Sequence, residues 1–305
     1  MTNRVLTVTL NPAVDVTYRV PALRVGETVR VPQVRSRAGG KGVNVAAVVT
    51  ALGGESLVLA LTAAAEPDEF RAGLRELGLA HRLVPALPAV RRTIAVVADD
   101  STTMLQENGF PARPGAEAGI TAALRDELAA GAGAVVISGS VPVAMDPEVP
   151  ARLARLCAGF GVPVIADVSG AALRAAASSG AVLMPNEDEL AELAGDGPAG
   201  DLVAGGAAAV VATAGRAGAT AVTARGSWRA RPVEVVAGNP AGAGDAAAAA
   251  LALHLARAGH DLDWPAALAD LVATSAAAVL RPVAGEIDHE ARARWIPLTT
   301  VEETR

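Results

Sequence analysis

Short apolar runs recur along this chain at intervals that leave room for one helix between neighbours. Val5–Leu10, Leu57–Leu61, Ala134–Ile137, Val162–Ala166, Ala181–Met184 and Gly206–Thr213 are apolar or nearly so, as expected of strands buried on both faces. The stretches Val45–Leu52, Asp68–Leu77, Gly119–Ala130, Pro147–Cys157 and Gly170–Ser178 fall between such runs and read as helices. This alternation predicts a doubly wound α/β fold, a mostly parallel sheet flanked by helices. Ligands of such sheets bind beyond the carboxyl ends of the strands. Here those ends carry Asp15, Ser140, Asp167, Asn186, Thr213 and Gly215, which are expected to gather along one edge.

Four stretches follow a different rule. Tyr18–Val20, Thr28–Val34, Arg92–Val97 and Thr102–Leu105 alternate polar and apolar residues, the mark of half-exposed strands. They predict a small β-sheet lid, covering roughly 17–35 and 91–106, inserted in the N-terminal part of a single domain spanning 1–305. Ala219–Ala224 and Ser227–Arg231 read as a hairpin, Trp264–Ala273 and Ser275–Leu280 as two closing helices, and the charged run Asp288–Arg305 as a surface tail. Aromatic residues make up only 2% of the 305. The core is therefore one of Ala, Val and Leu.

Two glycine turns stand at predicted helix starts. In Asn239-Pro240-Ala241-Gly242-Ala243-Gly244-Asp245, Pro240 stops the preceding strand and the alanine-rich run Ala246–Ala256 follows. The unpaired N–H groups of such a helix end attract anions. Asp245 in this turn is either a cap or a base. The second turn, Ala38-Gly39-Gly40-Lys41-Gly42-Val43-Asn44, holds a lysine. It is not a Walker A loop, in which Ser or Thr follows the lysine. Nor is it a dinucleotide fingerprint, which directly follows the first strand. An anion or polyol site with one positive charge remains. Asn186 and Glu189 share one face of a helix's first turn, as a capping box or as a polar site.

Composition excludes several classes. A net charge of −6 and a pI near 5.3 argue against nucleic acid or an anionic membrane as partner. Cys157 stands alone, which fits a reducing cytoplasm. The Val5–Leu10 run is too short for a signal-peptide core. His81, His254, His260 and His289 have no companions at metal-ligand spacing.

Six stretches in order carry a family resemblance. They are Thr9–Asp15, Gly39–Asn44 running into Val45-Ala46, Ser138–Pro142, Asp167–Gly170, Pro185-Asn186 with Glu189-Leu190, and Gly242–Asp245. Together they resemble the ribokinase-like (PfkB) carbohydrate kinases, in particular the 1-phosphofructokinase and tagatose-6-phosphate kinase branch. The resemblance implies ATP-dependent transfer of a phosphoryl group to a sugar hydroxyl. It implies Asp245 as catalytic base, with the N–H groups of Ala241, Gly242, Ala243 and Gly244 as the anion hole. Asn186 and Glu189 would organise Mg2+ through water, and Thr213, Gly215 and Gly218 would bind nucleotide. Asp15, Gly40 and Asn44 match positions that hold sugar hydroxyls. Lys41, Arg91 and Ser140 match those near the substrate's existing phosphate, which favours fructose 1-phosphate as acceptor.

A homodimer paired through the lid is implied as well. The chain departs from the family pattern at Met184, at Ala63–Pro67, at Thr103-Met104 and at Ala246. These departures leave the base and anion hole in place and bear on the acceptor. Tagatose 6-phosphate or fructose 6-phosphate kinases, and a catalytically silent sugar-phosphate-binding paralogue, are the alternatives. A dinucleotide oxidoreductase is disfavoured, since no fingerprint follows Leu10.

Overall fold

A computed structural model describes residues 4–65, 68–99, 101–195, 197–259 and 261–304. Glu66 and Pro67 of the departing loop, and His260, lie outside the described residues. In chain order the strands begin with β1 (Arg4–Thr9), β2 (Ala13–Arg19), β3 (Gln33–Gly39), β4 (Glu55–Ala63) and β5 (His81–Leu87). Next come β6 (Arg91–Val97), β7 (Thr102–Gln106), β8 (Ala134–Ser138), β9 (Val164–Asp167) and β10 (Val182–Leu183). The last four are β11 (Ala209–Thr213), β12 (Ala219–Thr223), β13 (Gly226–Arg231) and β14 (Thr300–Thr304). The helices are α1 (Lys41–Ala51), α2 (Glu69–Glu76), α3 (Ala116–Ala129), α4 (Val149–Gly159) and α5 (Gly170–Ala176). They continue with α6 (Glu187–Ala194), α7 (Ala199–Ala204), α8 (Ala243–Ala258), α9 (Trp264–Val279) and α10 (His289–Trp295).

A ten-stranded sheet runs β14-β13-β12-β11-β10-β9-β8-β1-β4-β5, parallel from β5 to β11 and antiparallel beyond. The doubly wound, mostly parallel expectation is met. Along β1, Val5 turns to one face and Leu6 and Val8 to the other, the period-two rule at work in a strand covered on both sides. One layer, with α1, α8 and α9, packs Val45 and Val48 against Val5, Val136 and Ile165. On the opposite layer Ile120, Leu124 and Leu153 cover Leu6, Leu59 and Ile137. The alanines Ala246–Ala250 of α8 are fully buried. Their small side chains let this helix lie against α1 and α9 as well as the sheet.

The order reverses at β1, whose neighbours are β4 on one side and β8 on the other. This is the switch point where α/β sheets open a crevice. A four-stranded sheet, β3-β2-β6-β7, stands above it. Its buried side, with Val14, Val16 and Ala38, packs on Phe70 and Leu74 of α2. The other side carries Asp15, Arg37 and Arg91, which period-two alternation and the β2–β3 and β2–β6 registers put together.

Several elements differ from the sequence reading. The first strand of the small sheet starts at Ala13, so Asp15 lies on it and not in a turn. Its partner is Gln33–Gly39, later than Thr28–Val34; alternation continued through residues that have no strand opposite them. α1 begins at Lys41, which places Lys41, Gly42 and Asn44 in its first turn. Trp264–Val279 is one helix: the Thr274 hydroxyl donates to Asp270 at 2.8 Å and the polar residues at 274–275 do not break it. The segment 288–304 is no loose tail. Its α10 sends Arg292 to Asp270 at 2.7 Å, and β14 pairs with β13.

Phe70 is fully buried beneath the small sheet. Phe70→Ala is expected to cost about 3–5 kcal/mol in denaturant unfolding, with faster amide exchange in Ala13–Arg19. Unchanged exchange there would show that the cluster does not seat that sheet.

Candidate active site

The crevice at the switch point is closed from below by a polar contact between the two diverging strands. Asn11, just past β1, donates from Nδ2 to Ser140 Oγ at 3.0 Å and to the Asn108 carbonyl at 3.2 Å. Arg91 donates to the Asn11 carbonyl at 3.3 Å and, through Nη1, to the Glu107 carbonyl at 3.0 Å. Asp15 stands beside them, where a methyl group on Gly39 would overlap its carboxylate. Glycine at 39 therefore serves close approach more than turn geometry. Burial raises the Asp15 pKa, and Arg37, Arg91 and the Gly40 N–H offset only part of that rise.

The opposite wall is built by two helix starts facing each other. At α8 the cap is Gly242, with φ at 84°, and no side chain caps the helix. A Cβ on Gly242 would come within 2.7 Å of the Ala284 Cβ. Asp245, at the third helical position, is not the cap. Its carboxylate is buried and accepts from Asn44 Nδ2 of α1 at 2.8 Å. Burial lifts its pKa to about 7; Asp167 adds to the rise, while Lys41 and the Asn44 hydrogen bond oppose it. Of the N–H groups in this turn, Ala241 donates to Asn239 Oδ1 at 3.1 Å and Ala243 to the Pro240 carbonyl at 3.2 Å. Gly242, Gly244 and Asp245 have no such bond among the described residues, which leaves their N–H groups to meet an anion.

Lys41 opens α1, where the helix dipole disfavours a cation. Neighbouring carboxylates hold it there: Nζ lies 2.8 Å from Asp167 Oδ1. Burial alone would lower the Lys41 pKa, but Asp167, Asp245 and Glu189 together keep it raised. Among the described residues Lys41 and Arg91 share no hydrogen-bond or ion-pair partner: Lys41 bonds Asp167, and Arg91 bonds the carbonyls of Asn11 and Glu107.

Two adjoining cavities run from this wall. One, of about 370 Å³, is lined by Lys41, Asp167, Asn186, Glu187, Asp188, Glu189 and Gly244. The next, of about 410 Å³, shares Thr213, Gly215 and Gly244 with it and adds Gly218, Val236, Leu271, Val272 and Ala276. Its size and apolar lining suit a small organic ligand. Asn186 and Glu189 do form a reciprocal capping box, at 2.9 and 3.0 Å. Asn186 also bridges to Thr213, so the box sits on the cavity wall. Among the described residues no three acidic, His or Cys side chains form a metal cage. Asp167 Oδ2 is nonetheless buried without a partner beside Glu189. That set fits a hydrated Mg2+, which keeps most of its waters and needs few protein ligands.

The small-sheet side of the cleft thus holds Asp15, Arg91 and Ser140, Gly40 and Asn44 lie at the start of α1 with Asn44 bonded to Asp245, and Lys41, Asn186, Glu189, Thr213, Gly215, Gly218 and Gly244 line the two adjoining cavities. Asn11, Arg37 and Asp167 were given no role by sequence reasoning. Asp167 was visible as a strand end, but its partner Lys41 is 126 residues away. Asn11 lay within the family stretch Thr9–Asp15, but nothing local pointed to its bond with Ser140, 129 residues away.

A buried carboxylate with a raised pKa, one residue from the Gly244 that lines both cavities, is an arrangement suited to group transfer to a hydroxyl. The match to known proteins makes the class specific: a model for the pfkB family carbohydrate kinases covers residues 7–290, and the chain belongs to that family. It is a phosphotransferase acting on a sugar hydroxyl. The chain is 34% identical to a 1-phosphofructokinase of Rhodobacter capsulatus over 295 residues (92% of this chain, 93% of the relative). It is 33% identical to that of Xanthomonas campestris pv. campestris over 286 residues (88% and 89%). An ATP-dependent 6-phosphofructokinase isozyme 2 of Mycobacterium tuberculosis is 32% identical over 267 residues (83% and 78%). Among solved structures, the tetrameric inhibited form of Escherichia coli phosphofructokinase-2 superposes with a TM-score of 0.87 at 25% identity (98% of this chain, 99% of that one).

From the ordinary value of 3.8 up to about 7, folded Asp245 keeps a proton that the unfolded chain has released. Stability from this group is therefore greatest at the acid end of that window and falls as pH rises through it. Asp245→Asn removes the dependence. Its gain in unfolding free energy over the wild type is expected to grow with pH across the window and then level off. A difference independent of pH would contradict the shifted carboxylate.

Proposed function

We propose that this enzyme transfers the terminal phosphoryl group of ATP to a phosphorylated ketose, with fructose 1-phosphate as the acceptor and fructose 1,6-bisphosphate as product. The observation that carries the reading is the buried Asp245 carboxylate, bonded to Asn44 and facing the wall that holds Lys41. In this reading Asp245 takes the proton of the attacking hydroxyl; a base with a pKa near 7 suits work at neutral pH. Asp15, Gly40 and Asn44 hold the sugar's hydroxyls, and Arg91 and Ser140, with Asn11, face its existing phosphate. Gly242 and Gly244 offer N–H groups to the transferring phosphoryl, and Lys41 neutralises charge at that end. Phosphoryl transfer is catalysed mainly by such positioning and charge stabilisation. Thr213, Gly215 and Gly218 line the space for the nucleotide. Asn186, Glu189 and Asp167 would hold hydrated Mg2+, which supplies further charge neutralisation at the phosphates.

The small sheet is read as a lid and as the surface on which two copies pair. Val34, Met104 and Leu105 are exposed on its strands, more apolar surface than a solvated edge needs. The unpaired, buried Cys157 supports a reducing cytoplasm as the compartment, and no helix among the described residues is long and apolar enough to cross a membrane. The relative named a 6-phosphofructokinase supports fructose 6-phosphate as the second candidate acceptor. The same reaction on tagatose 6-phosphate is a third. A catalytically silent paralogue is opposed by the built environment of Asp245.

Coupled ADP release, measured across fructose 1-phosphate, fructose 6-phosphate, tagatose 6-phosphate and fructose, tests the assignment. Fructose 1-phosphate is expected to give the highest kcat/KM, and Asp245→Asn to lose at least about 10²-fold in kcat while still binding sugar phosphate. Turnover of unphosphorylated fructose alone would reject the acceptor. Full turnover by Asp245→Asn would reject the base.

A further inference from the structure

Several half-buried arginines elsewhere in the chain are paired with carboxylates: Arg4 with Glu127, Arg152 with Glu117, Arg292 with Asp270. Two arginines facing the cleft are not. Arg91 donates only to backbone carbonyls, of Asn11 and Glu107. Arg37 has a buried Nε that donates to nothing among the described residues.

These two flank one carboxylate. In the β2–β3 register Asp15 lies directly opposite Arg37, and in the β2–β6 register Arg91 lies opposite Ala13, two residues from Asp15 and on the same face. Burial lowers the pKa of each guanidinium, and the opposing carboxylates are Asp15 for both, with Glu286 beyond Arg37 and Glu107 beyond Arg91. Arg37 also reaches the transfer wall. A Cβ on Gly285 would lie 3.2 Å from Arg37 Nη2 and 3.3 Å from Asn44 Oδ1. That Asn44 oxygen is likewise buried and unpartnered. The guanidinium of Arg37, with its unpartnered Nε, and the unpartnered Asn44 oxygen thus flank Gly285, next to the sheet face that carries Asp15 and Arg91. Buried polar groups left open in this way await a partner. An anionic sugar, carrying both hydroxyls and phosphate oxygens, satisfies all of them. The ammonium of Lys41 is engaged elsewhere, bound to Asp167 at the cavity that Asn186 and Glu189 also line.

We propose that Arg37 is a specificity-determining residue of the acceptor pocket, acting with Arg91 across Asp15 to bind a phosphorylated sugar, while Lys41 serves the nucleotide end. This rests on the sugar-phosphate reading above. The planar fork of arginine suits oxygens of phosphate and hydroxyl type and is not reproduced by lysine.

The test is steady-state kinetics of the full chain, with fructose 1-phosphate and ATP varied in turn, for wild type, Arg37→Gln, Arg37→Lys and Lys41→Met. Arg37→Gln is expected to raise KM for fructose 1-phosphate about ten- to hundred-fold, leaving KM for ATP within about two-fold. Arg37→Lys recovers part of that loss. Lys41→Met lowers kcat or raises KM for ATP, with the acceptor KM little changed. The assignment is overturned if Arg37→Gln leaves the acceptor KM unchanged, if both KM values rise together, or if Lys41→Met alone weakens the acceptor. Should Arg37→Gln fail to fold, Arg37→Lys decides: a selective rise in acceptor KM supports the role, and wild-type values reject it. Wild-type preference for neutral fructose would reject the acceptor reading itself. Preference for the phosphorylated sugar with an Arg37→Gln KM that does not move rejects Arg37 alone.

Discussion

The buried hydrogen bond from Asn44 to Asp245 joins the starts of two helices that are 201 residues apart in sequence. Almost everything in the cleft depends on it. A carboxylate in that position could face solvent and ionise freely, as first-turn acids usually do with help from the helix dipole. Packing overrules the dipole: Asp245 is enclosed, and losing water costs its ionised form more than the dipole returns. Asn44 keeps the group oriented and tempers the shift. Lys41, at the first position of the same α1 that carries Asn44, supplies the nearest positive charge. The Asp245 carboxylate and the charge that restrains it are therefore oriented by the same helix, α1.

That enclosure requires unusually close helices. The alanine run of α8 provides it, because side chains of one carbon let α1, α9 and the sheet meet around the helix without voids. The low aromatic content follows from the same demand. Bulk enters elsewhere, as with Phe70 under the small sheet, where a separate layer has to be seated at a fixed height above the crevice. The small sheet then presents one charged face to the cleft and one apolar face to α2, so its position and its chemistry come from the same alternation.

Much of this was legible in the chain. Strands covered on both faces advertise themselves, and β1, β8 and β9 were readable because Val, Ile and Leu crowd them. The glycine turn at 239–245 declared a helix start with free donors. What escaped reading depended on partners distant in sequence. β14 looked like a charged tail because an edge strand with a solvent face keeps polar residues. Arg37 falls just beyond the stretch 17–35 assigned to the small sheet, and only its register against Asp15 reveals which way it faces. Gly39 read as a flexible turn, when the reason for it is the Asp15 carboxylate in the space a side chain would take. The pairing of Lys41 with Asp167 could not be read from either local motif.

The most direct measurement of the central claim is the pH dependence of kcat/KM for fructose 1-phosphate at saturating ATP. A base enclosed at Asp245 predicts a single acid limb, rising with pH to a midpoint near 7. Removing the Asn44 donor by Asn44→Leu should move that midpoint upward. A rate that is flat through neutrality, or a limb that Asn44→Leu leaves in place, would mean that Asp245 is not the group whose proton controls transfer.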